Sequence, residues 1–203
     1  ISLLASGGHT AVICVNDYTD FEVMGGTLDD AAGEAFDKVA RVLGLNYPGG
    51  PNIERLAREG KNCIEFPAML KGKVGYDFSY SGLKTAVINY VHNFEQRGIE
   101  YNKADVACSF QHAAVDVLIK KSLAAARAKG LKTIAAGGGV IANGYLRETL
   151  ENACKKAGIK AVIPPKIFCT DNAAMIAAEG YIQYKRKNFA PLSLNASARV
   201  DLG

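Results

Sequence analysis

The first 26 residues constrain the possible folds most strongly, because they contain three short β-rich segments with no helical period between them. Residues 1–5 and 11–15 are apolar and flank a glycine pair at 7–8, so the sequence predicts a β-hairpin. A third strand is predicted over 18–26, where the segment ends in two glycines. The pattern therefore predicts three leading strands.

Downstream of these strands the apolar period becomes helical, and strands return only late in the chain. Helices are predicted over 28–44, within 46–61, and over 81–98, 103–129, 140–158 and 169–187, and strands over 131–139 and 159–165. Residues 61–80 are predicted to be irregular, and Ser81 is predicted to be the N-cap of the helix that follows.

This order of elements is β-β-β-α, a helical insertion, and then β-α-β-α. It is typical of a ribonuclease-H-like lobe, in which a mixed sheet carries helices on both faces. We therefore predict an α/β fold and one domain over 1–203, with a helical insertion at about 45–130.

Composition excludes several classes of protein. The five cysteines are widely spaced and never form a CxxC pair, which favours a reduced cytoplasmic compartment over a disulfide framework or a cysteine zinc site. No apolar stretch approaches the ~18 residues of a membrane span. The net charge of +4 is compatible with an anionic partner but does not require one.

The turn SGGHT, residues 6–10, is the first candidate binding feature. Glycines allow backbone N–H groups to approach an anion closely, and Ser6 and Thr10 add hydroxyl groups. An ordinary tight turn would explain the same residues, since Gly-Gly is common in hairpins.

Three carboxylates in the first predicted helix form a second candidate. Asp30, Glu34 and Asp37 are spaced at i, i+4 and i+7, which places them on one helical face. They could form a solvated acidic face, or they could accept hydrogen bonds from the hydroxyl groups of a ligand.

Two further candidates precede the last two helices. Three glycines come before Asn143, which is predicted to lie in the first helical turn, where it could contact a base or ribose or could simply be a cap. Thr170, Asp171 and Asn172 all suit an N-cap, although Asp171 could also bind a metal given partners. His92 and His112 are predicted to be ordinary helix residues.

Taken together and in order, these motifs resemble the TsaD family, the tRNA adenosine threonylcarbamoyltransferases. The resemblance covers nearly the whole chain and is closest to bacterial members. The motifs that carry it are SGGHT at 6–10, DDAAGEAFDK at 29–38, YPGGP at 47–51, FSYSGLKT at 78–85, GGGVIAN at 137–143 and CTDNAAMIA at 169–177.

The resemblance implies the fold of actin, Hsp70 and the sugar kinases, with two ribonuclease-H-like lobes and a nucleotide-binding cleft between them. We expect this chain to be the second lobe of a longer protein. The implied reaction transfers a threonylcarbamoyl group from threonylcarbamoyl-adenylate to N6 of adenosine 37 in tRNAs that read ANN codons.

The resemblance also implies which residues contact the substrate, and it carries them over position by position. The substrate-binding positions are Leu4, Ala5, Ser6, Gly7 and Gly8 at the phosphate, Asp37 at the ribose, Gly50 in YPGGP, Glu54, and Asn143 at the adenosine. Glu54 stands where some members have an Asp, and Ala5 replaces a more common Val.

One divalent metal is implied, iron(II) being favoured over zinc, with Asp171 as its carboxylate ligand and two histidines of the first lobe completing the shell. The implied partners are tRNA, a TsaB-like paralogue and a TsaE-like ATPase, with no membrane. The rival readings are a sugar-kinase-like ATPase of the same fold, a metalloprotease, and a non-catalytic scaffold paralogue.

Overall fold

The computed structural model describes residues 1–67, 70 and 75–196. Its centre is one five-stranded sheet in the order β3-β2-β1-β4-β5. β2 pairs antiparallel with both β1 and β3, whereas β4 lies parallel to both β1 and β5. The strands are β1 (Ser2–Ala5), β2 (Thr10–Asp17), β3 (Asp20–Gly26), β4 (Thr133–Gly137) and β5 (Lys160–Val162). The predicted mixed α/β sheet is confirmed.

The helices occur in the predicted order. They are α1 (Ala32–Val42), α2 (Gly49–Ala57), α3 (Ser81–Gln96), α4 (Lys103–Ala128), α5 (Gly144–Ala157) and α6 (Ala173–Lys185). The helix predicted to start at 140 begins instead as a 3-10 turn, Gly139–Ala142, and becomes α-helical only at Gly144. Part of the segment predicted as irregular, at 68–69 and 71–74, lies outside the described residues, as do residues 197–203 of the predicted domain.

The N-terminus of α3 differs from the prediction. Ser81 is the first residue of the helix, and its side chain makes no capping hydrogen bond. The cap comes from Asp29, about fifty residues earlier, because its Oδ1 accepts hydrogen bonds from the N–H groups of Tyr80 at 2.7 Å and Ser81 at 3.2 Å. Asp29 also accepts a short hydrogen bond from the Ser79 hydroxyl. Tertiary contact therefore replaces the local cap.

The core lies between one face of the sheet and the long helix α4. Alternate strand residues such as Leu3, Val12 and Ile134 are fully buried on this face, as the period of two in a strand predicts. α4 contacts β1, β2 and β4, and it also packs against α2. The opposite strand residues remain partly exposed, and Val15 keeps 49% of its surface.

Two glycines are needed because backbone segments approach each other closely around β1. A Cβ on Gly33 of α1 would lie 2.8 Å from the Ser6 carbonyl oxygen. A Cβ on Gly138, which has a φ of 101°, would lie 2.3 Å from the carbonyl oxygen of Ala5. Both distances are shorter than a carbon–oxygen contact allows, so these glycines let α1 and the β4–α5 connection lie directly against the end of β1.

Both edges of the sheet are irregular. β5 has only three residues and is followed by Pro164 and Pro165, whose nitrogens cannot donate hydrogen bonds. β3 pairs with β2 through two register shifts, between Val12 and Ile13 and between Val15 and Asp17. Among the helices of the described residues, none has the length and apolar character that crossing a membrane requires.

Candidate functional site

The SGGHT turn joins β1 to β2 and is partly closed by its own serine. The Ser6 hydroxyl accepts hydrogen bonds from the N–H groups of Gly8 at 3.3 Å and His9 at 2.9 Å. Gly7 and Gly8 do not have positive φ angles, and no atom lies within 4 Å of where their Cβ atoms would be. Neither backbone conformation nor packing therefore requires glycine here, and the space above the turn is open.

Helix α1 starts directly beside this turn. The N–H of Gly33 donates to the Ser6 carbonyl at 3.0 Å, and the N–H of Ala32 donates to the Thr10 hydroxyl at 2.8 Å. Thr10 therefore takes the place of an N-cap, since the residue before α1 is Ala31, which has no side-chain acceptor. The positive end of the α1 dipole consequently lies next to the turn, where an anion would be favoured.

The three carboxylates of this region do not form one acidic face. Lys38 lies 2.6 Å from Asp30 and 2.8 Å from Glu34, and Lys84 lies 2.7 Å from the other oxygen of Asp30. Burial opposes ionisation of Asp30, but hydrogen bonds from the two ammonium groups outweigh it and hold the pKa of this carboxyl below its usual value. The solvated acidic face is therefore wrong, and only Asp37 lacks a salt-bridge cation among the described residues.

Asp37 lies instead against the YPGGP turn. Its Oδ1 accepts a hydrogen bond of 2.7 Å from the N–H of Gly49, the first residue of α2. Its Oδ2 has no protein partner among the described residues. Gly50 follows in the first turn of α2, with no atom within 4 Å of where its Cβ would be. Asp37 thus holds α2 with one oxygen and leaves the other available.

Glu54, one helical turn further along α2, connects this helix to the start of α5. Its Oε1 accepts a hydrogen bond from the N–H of Gly144 at 3.2 Å, although Arg58 also pairs with the same oxygen at 2.6 Å. Asn143 is the N-cap of α5, not a residue of its first turn as predicted: its Oδ1 accepts from the N–H of Leu146 at 2.9 Å. Its Nδ2 donates to buried Gln111 at 2.8 Å.

These contacts form a closed ring around the carboxyl end of β1. The turn contacts α1 through Gly33, α1 contacts α2 through Asp37, and α2 contacts α5 through Glu54. The ring closes where Leu4 pairs with Gly137 on β4 and where Gly138 lies against Ala5. The predicted substrate residues share this ring: Leu4, Ala5, Ser6, Gly7, Gly8, Asp37, Gly50, Glu54 and Asn143.

Asp171 lies on an exposed segment at the edge of the ring. The helix cap is Asn172, whose Oδ1 accepts from the N–H of Met175 at 3.0 Å, so the carboxylate of Asp171 is not used for capping. Thr170 lies 3.9 Å from where a Cβ on Gly139 would be, which brings this segment next to the glycine-rich connection. Within the described residues no group of three or more metal-binding side chains comes together, at Asp171 or elsewhere.

Arg147 of α5 connects the segments on either side of the site. Its Nη1 donates to the carbonyl oxygen of Pro164 at 2.9 Å and lies 3.4 Å from that of Ile141. It also contacts the sulfur of buried Cys169 at 3.8 Å. The guanidinium group therefore ties the connection that leads to Asn143 to the segment that leads to Asp171.

A cavity of about 340 Å³ opens beside Glu54 and Gly144, and sequence reasoning missed most of the residues that line it, among them His112 and Tyr145. His112 was predicted to be an ordinary helix residue, yet its Nδ1 lies 2.8 Å from the hydroxyl of Tyr145 and the two rings stack at 4.2 Å. Burial lowers the pKa of His112, and the nearby carboxylate of Asp116 only partly offsets this. No local sequence pattern pointed to His112, because its partner Tyr145 lies 33 residues further along the chain.

Comparison with known proteins shows which family the chain is similar to. The profile of the TsaD family, described as tRNA N6-adenosine threonylcarbamoyltransferase, matches residues 1–178. A protein of that description from Moorella thermoacetica is 54% identical over 197 residues, which are 97% of this chain and 58% of that protein. Another from Staphylococcus aureus is 48% identical over 202 residues, covering 100% of this chain and 59% of the relative.

Solved structures support the fold independently of sequence. Full-length HypF, in a phosphate- and nucleotide-bound form, has a TM-score of 0.69 over 94% of this chain and 40% of its own, at 14% identity. HypF from T. kodakarensis has a TM-score of 0.60 over 82% of this chain and 21% of its own, at 18% identity.

This chain spans a little under three fifths of the length of the curated relatives that it matches. The chain belongs to the TsaD family of tRNA N6-adenosine threonylcarbamoyltransferases.

Proposed function

We propose that this chain carries one wall of the site at which a threonylcarbamoyl group passes from threonylcarbamoyl-adenylate to N6 of adenosine 37 in tRNAs that read ANN codons. The observation that supports this most is the closed contact ring, which brings an open glycine turn, a free carboxylate oxygen and a carboxamide to one end of the sheet. The turn and the carboxylate oxygen suit the phosphate and the ribose of an adenylate, whereas the carboxamide of Asn143 is already hydrogen-bonded to Leu146 and Gln111 and would border the base. Family membership supports the reaction itself.

The phosphate would lie against the SGGHT turn. The main chain of Leu4 and Ala5 leads into the open turn, and Ser6, Gly7 and Gly8 would face the phosphate oxygens. The positive end of α1 would favour the negative charge of the phosphate. Good binding of the leaving phosphate lowers the barrier for transfer, because negative charge accumulates there as the anhydride bond breaks.

The nucleoside would extend from the turn across α1, α2 and α5. The free Oδ2 of Asp37 is suited to accept hydrogen bonds from the ribose hydroxyl groups, and Gly50 leaves room for the sugar because it has no side chain. Glu54 and Asn143 would lie at the base. Both carry hydrogen bonds within the protein already, which would hold their side chains in position before the nucleotide binds.

The metal of the family would have Asp171 as one ligand. A single exposed carboxylate fits one position in the shell of iron(II), which we favour, or zinc, and the two histidines would come from the part of the family's chain that is not spanned here. A divalent cation bound there would act as a Lewis acid on the carbonyl of the transferred group. The N6 amine of adenosine would attack that carbonyl carbon. The bond from this carbon to the phosphate oxygen would break to release AMP, and N6 would lose one proton to the solvent.

The proposed partners follow from the reaction and the family. tRNA is the acceptor, and we propose a TsaB-like paralogue and a TsaE-like ATPase as protein partners in the cytoplasm. The net charge of +4 is compatible with a polyanionic substrate.

The test joins this chain to the part of the Moorella thermoacetica relative that precedes its match, and incubates the product with threonylcarbamoyl-adenylate and tRNA. Mass analysis of the tRNA nucleosides should detect threonylcarbamoyladenosine, and the 203-residue chain alone should form none, since it holds one proposed metal ligand. A parallel assay of ATP with a panel of sugars tests the kinase-like alternative. Sugar phosphates without modified tRNA would overturn the proposal, as would robust turnover by the chain alone.

A further inference from the structure

Two short segments, where α4 leads into β4 and α5 leads into β5, carry a concentration of positive charge. Residues 127–132 and 155–160 contain six cations and no acidic residue. Six of the chain's 24 Lys and Arg therefore lie here, and the remaining 18 are outnumbered by 20 Asp and Glu, so the positive net charge of the chain comes from this region. We call these six residues the basic face: Arg127, Lys129, Lys132, Lys155, Lys156 and Lys160.

The two segments are built in the same way, which brings their cations together. Gly130 after α4 and Gly158 after α5 each have a φ of 66°, and each is followed by an aliphatic residue whose N–H donates back to the helix at 2.9 Å. Lys132 and Lys160 come next, and the N–H of Lys160 donates to the carbonyl oxygen of Lys132 at 2.8 Å. The ends of α4 and α5 are therefore held side by side where β4 and β5 start.

The basic face is exposed and mostly unpaired. All six of its residues are exposed to solvent. Lys129 pairs with Glu22 at 2.6 Å, whereas the other five form no salt bridge with any residue that the structure describes. The helix dipole favours the three cations in the last turns of α4 and α5. Lys132 and Lys160 lie beyond the helix ends, so the dipole does not explain them.

The composition of the basic face favours the phosphates of a nucleic acid as its ligand. Clustered ammonium groups bind phosphates through charge, and such contacts position a nucleic acid without reading its bases. Surfaces that bind a membrane combine basic residues with exposed apolar ones. Within 127–132 and 155–160 no large apolar side chain is exposed, so a nucleic-acid backbone is favoured over a lipid surface.

We propose that the basic face is a second, sequence-independent contact for tRNA, which binds backbone phosphates away from the adenosine that is modified. The identity of the RNA rests on the proposed function. The face lies at the far end of α5 from the contact ring, and this helix of fourteen residues spans ~21 Å at about 1.5 Å per residue. A stacked strand rises ~3.4 Å per nucleotide, so phosphates roughly six nucleotides from the adenosine come within reach of the face.

Binding of tRNA to the chain joined to the preceding part of the Moorella thermoacetica relative tests this contact. Fluorescence anisotropy gives the Kd of labelled, unmodified tRNA at several salt concentrations. The double variant Lys132→Ala/Lys160→Ala should raise the Kd by about 10-fold at low salt. It should also reduce the slope of log K against log salt by about 1.4–1.8, because each lost phosphate contact removes ~0.7–0.9.

A matched variant and a shorter RNA separate this contact from a general effect of charge. Arg97→Ala/Lys120→Ala removes two exposed cations outside the basic face and should leave the Kd and the slope unchanged. An RNA hairpin that contains the adenosine on a stem of about three base pairs, ~10 Å long, is too short to reach the face. The Lys132→Ala/Lys160→Ala variant should therefore bind this hairpin as tightly as the wild type does.

Equal losses of tRNA affinity in the two double variants would overturn the proposal, because only the overall charge would then matter. Weaker binding of the short hairpin by Lys132→Ala/Lys160→Ala would also overturn it. So would loss of binding to phosphatidylserine vesicles with tRNA affinity unchanged, since the face would then bind lipid.

The binding assay contains no adenylate, so it is independent of the transfer reaction. Binding of tRNA through the basic face without formation of threonylcarbamoyladenosine would uphold this contact and overturn the proposed function. Unchanged tRNA affinity of Lys132→Ala/Lys160→Ala, in a joined protein that modifies tRNA, would overturn this contact and leave the proposed function standing.

Discussion

Replacement of Asp37 separates its two roles, because each carboxylate oxygen has a different task. Asp37→Ala removes the acceptor of the 2.7 Å hydrogen bond from Gly49 at the N-terminus of α2. A hydrogen bond to a charged group contributes ~1.5–3 kcal/mol to the free energy of unfolding. In a chain of this length each kcal/mol corresponds to about 2–4 °C, so we expect the melting temperature of Asp37→Ala to fall by roughly 3–12 °C.

Asp37→Asn should keep the contact with α2 and lose the negative charge. The side-chain oxygen of Asn can still accept from Gly49, so the loss is that of a charge at a helix N-terminus, ~0.3–1 kcal/mol. The outer oxygen, however, becomes an amide donor and can no longer accept from a ribose hydroxyl. We therefore expect both variants to bind an adenine nucleotide roughly 10- to 100-fold more weakly, the ratio that corresponds to ~1.5–3 kcal/mol.

The assay is a thermal melt of the 203-residue chain together with calorimetric titration of ATP into the chain joined to the preceding part of the Moorella thermoacetica relative. If Asp37→Ala has the same melting temperature as the wild type, the contact with Gly49 does not hold α2. If both variants bind ATP with wild-type affinity, the outer oxygen of Asp37 has no role at the nucleotide.

Three further predictions concern other positions. Asp171→Asn should change the melting temperature of the metal-free chain by no more than a few degrees from the wild type, because Asn172 is the cap of α6. In the joined protein the same change should remove most of the bound metal, measured by elemental analysis. Full metal content would exclude Asp171 as a ligand. Asp29→Ala should lower the free energy of unfolding, measured by urea titration, by ~1–3 kcal/mol, because it removes the cap of α3. Ser81→Ala should change it by less than ~0.5 kcal/mol. Equal effects of the two changes would contradict the assignment of Asp29 as the cap. Burial lowers the pKa of His112, so the unfolded chain binds a proton at this histidine more readily than the folded chain does. The free energy of unfolding should therefore fall as the pH drops through about 6.5, and His112→Gln should weaken this fall. An identical pH profile of the variant and the wild type would contradict the burial of His112 as the cause.

Local patterns were sufficient to predict the element order and the mixed sheet. Period-two and helical runs are properties of neighbouring residues, so each strand and helix could be assigned without knowing its contacts. The predicted N-cap at Ser81 was wrong because the start of α3 depends on a tertiary contact and not on neighbouring residues. The side chain that caps α3 is Asp29, and no local rule relates two positions about fifty residues apart.

The candidate site, too, could be predicted from the sequence only in part. The motifs that carry the family resemblance indicated Asp37 and Asn143, but not that Asp37 holds α2 or that Asn143 donates to Gln111. The spacing of the carboxylates suggested a single acidic face. The i,i+4 pair of Glu34 with Lys38 was a local signal in the sequence, but the pairing of Asp30 with Lys84 was not. His112 had no helical signal that distinguished it from other surface residues.

The irregular edges of the sheet limit how this chain can associate with other chains. A regular edge strand exposes a row of N–H and C=O groups that can template another strand. β5, however, has only three residues and is followed closely by Pro164 and Pro165, and the pairing of β3 with β2 is interrupted by two register shifts. Strand addition leading to fibrils is therefore disfavoured at both margins. If the isolated chain aggregates at high concentration, its aggregates should keep a helical circular dichroism spectrum and should not enhance thioflavin T fluorescence.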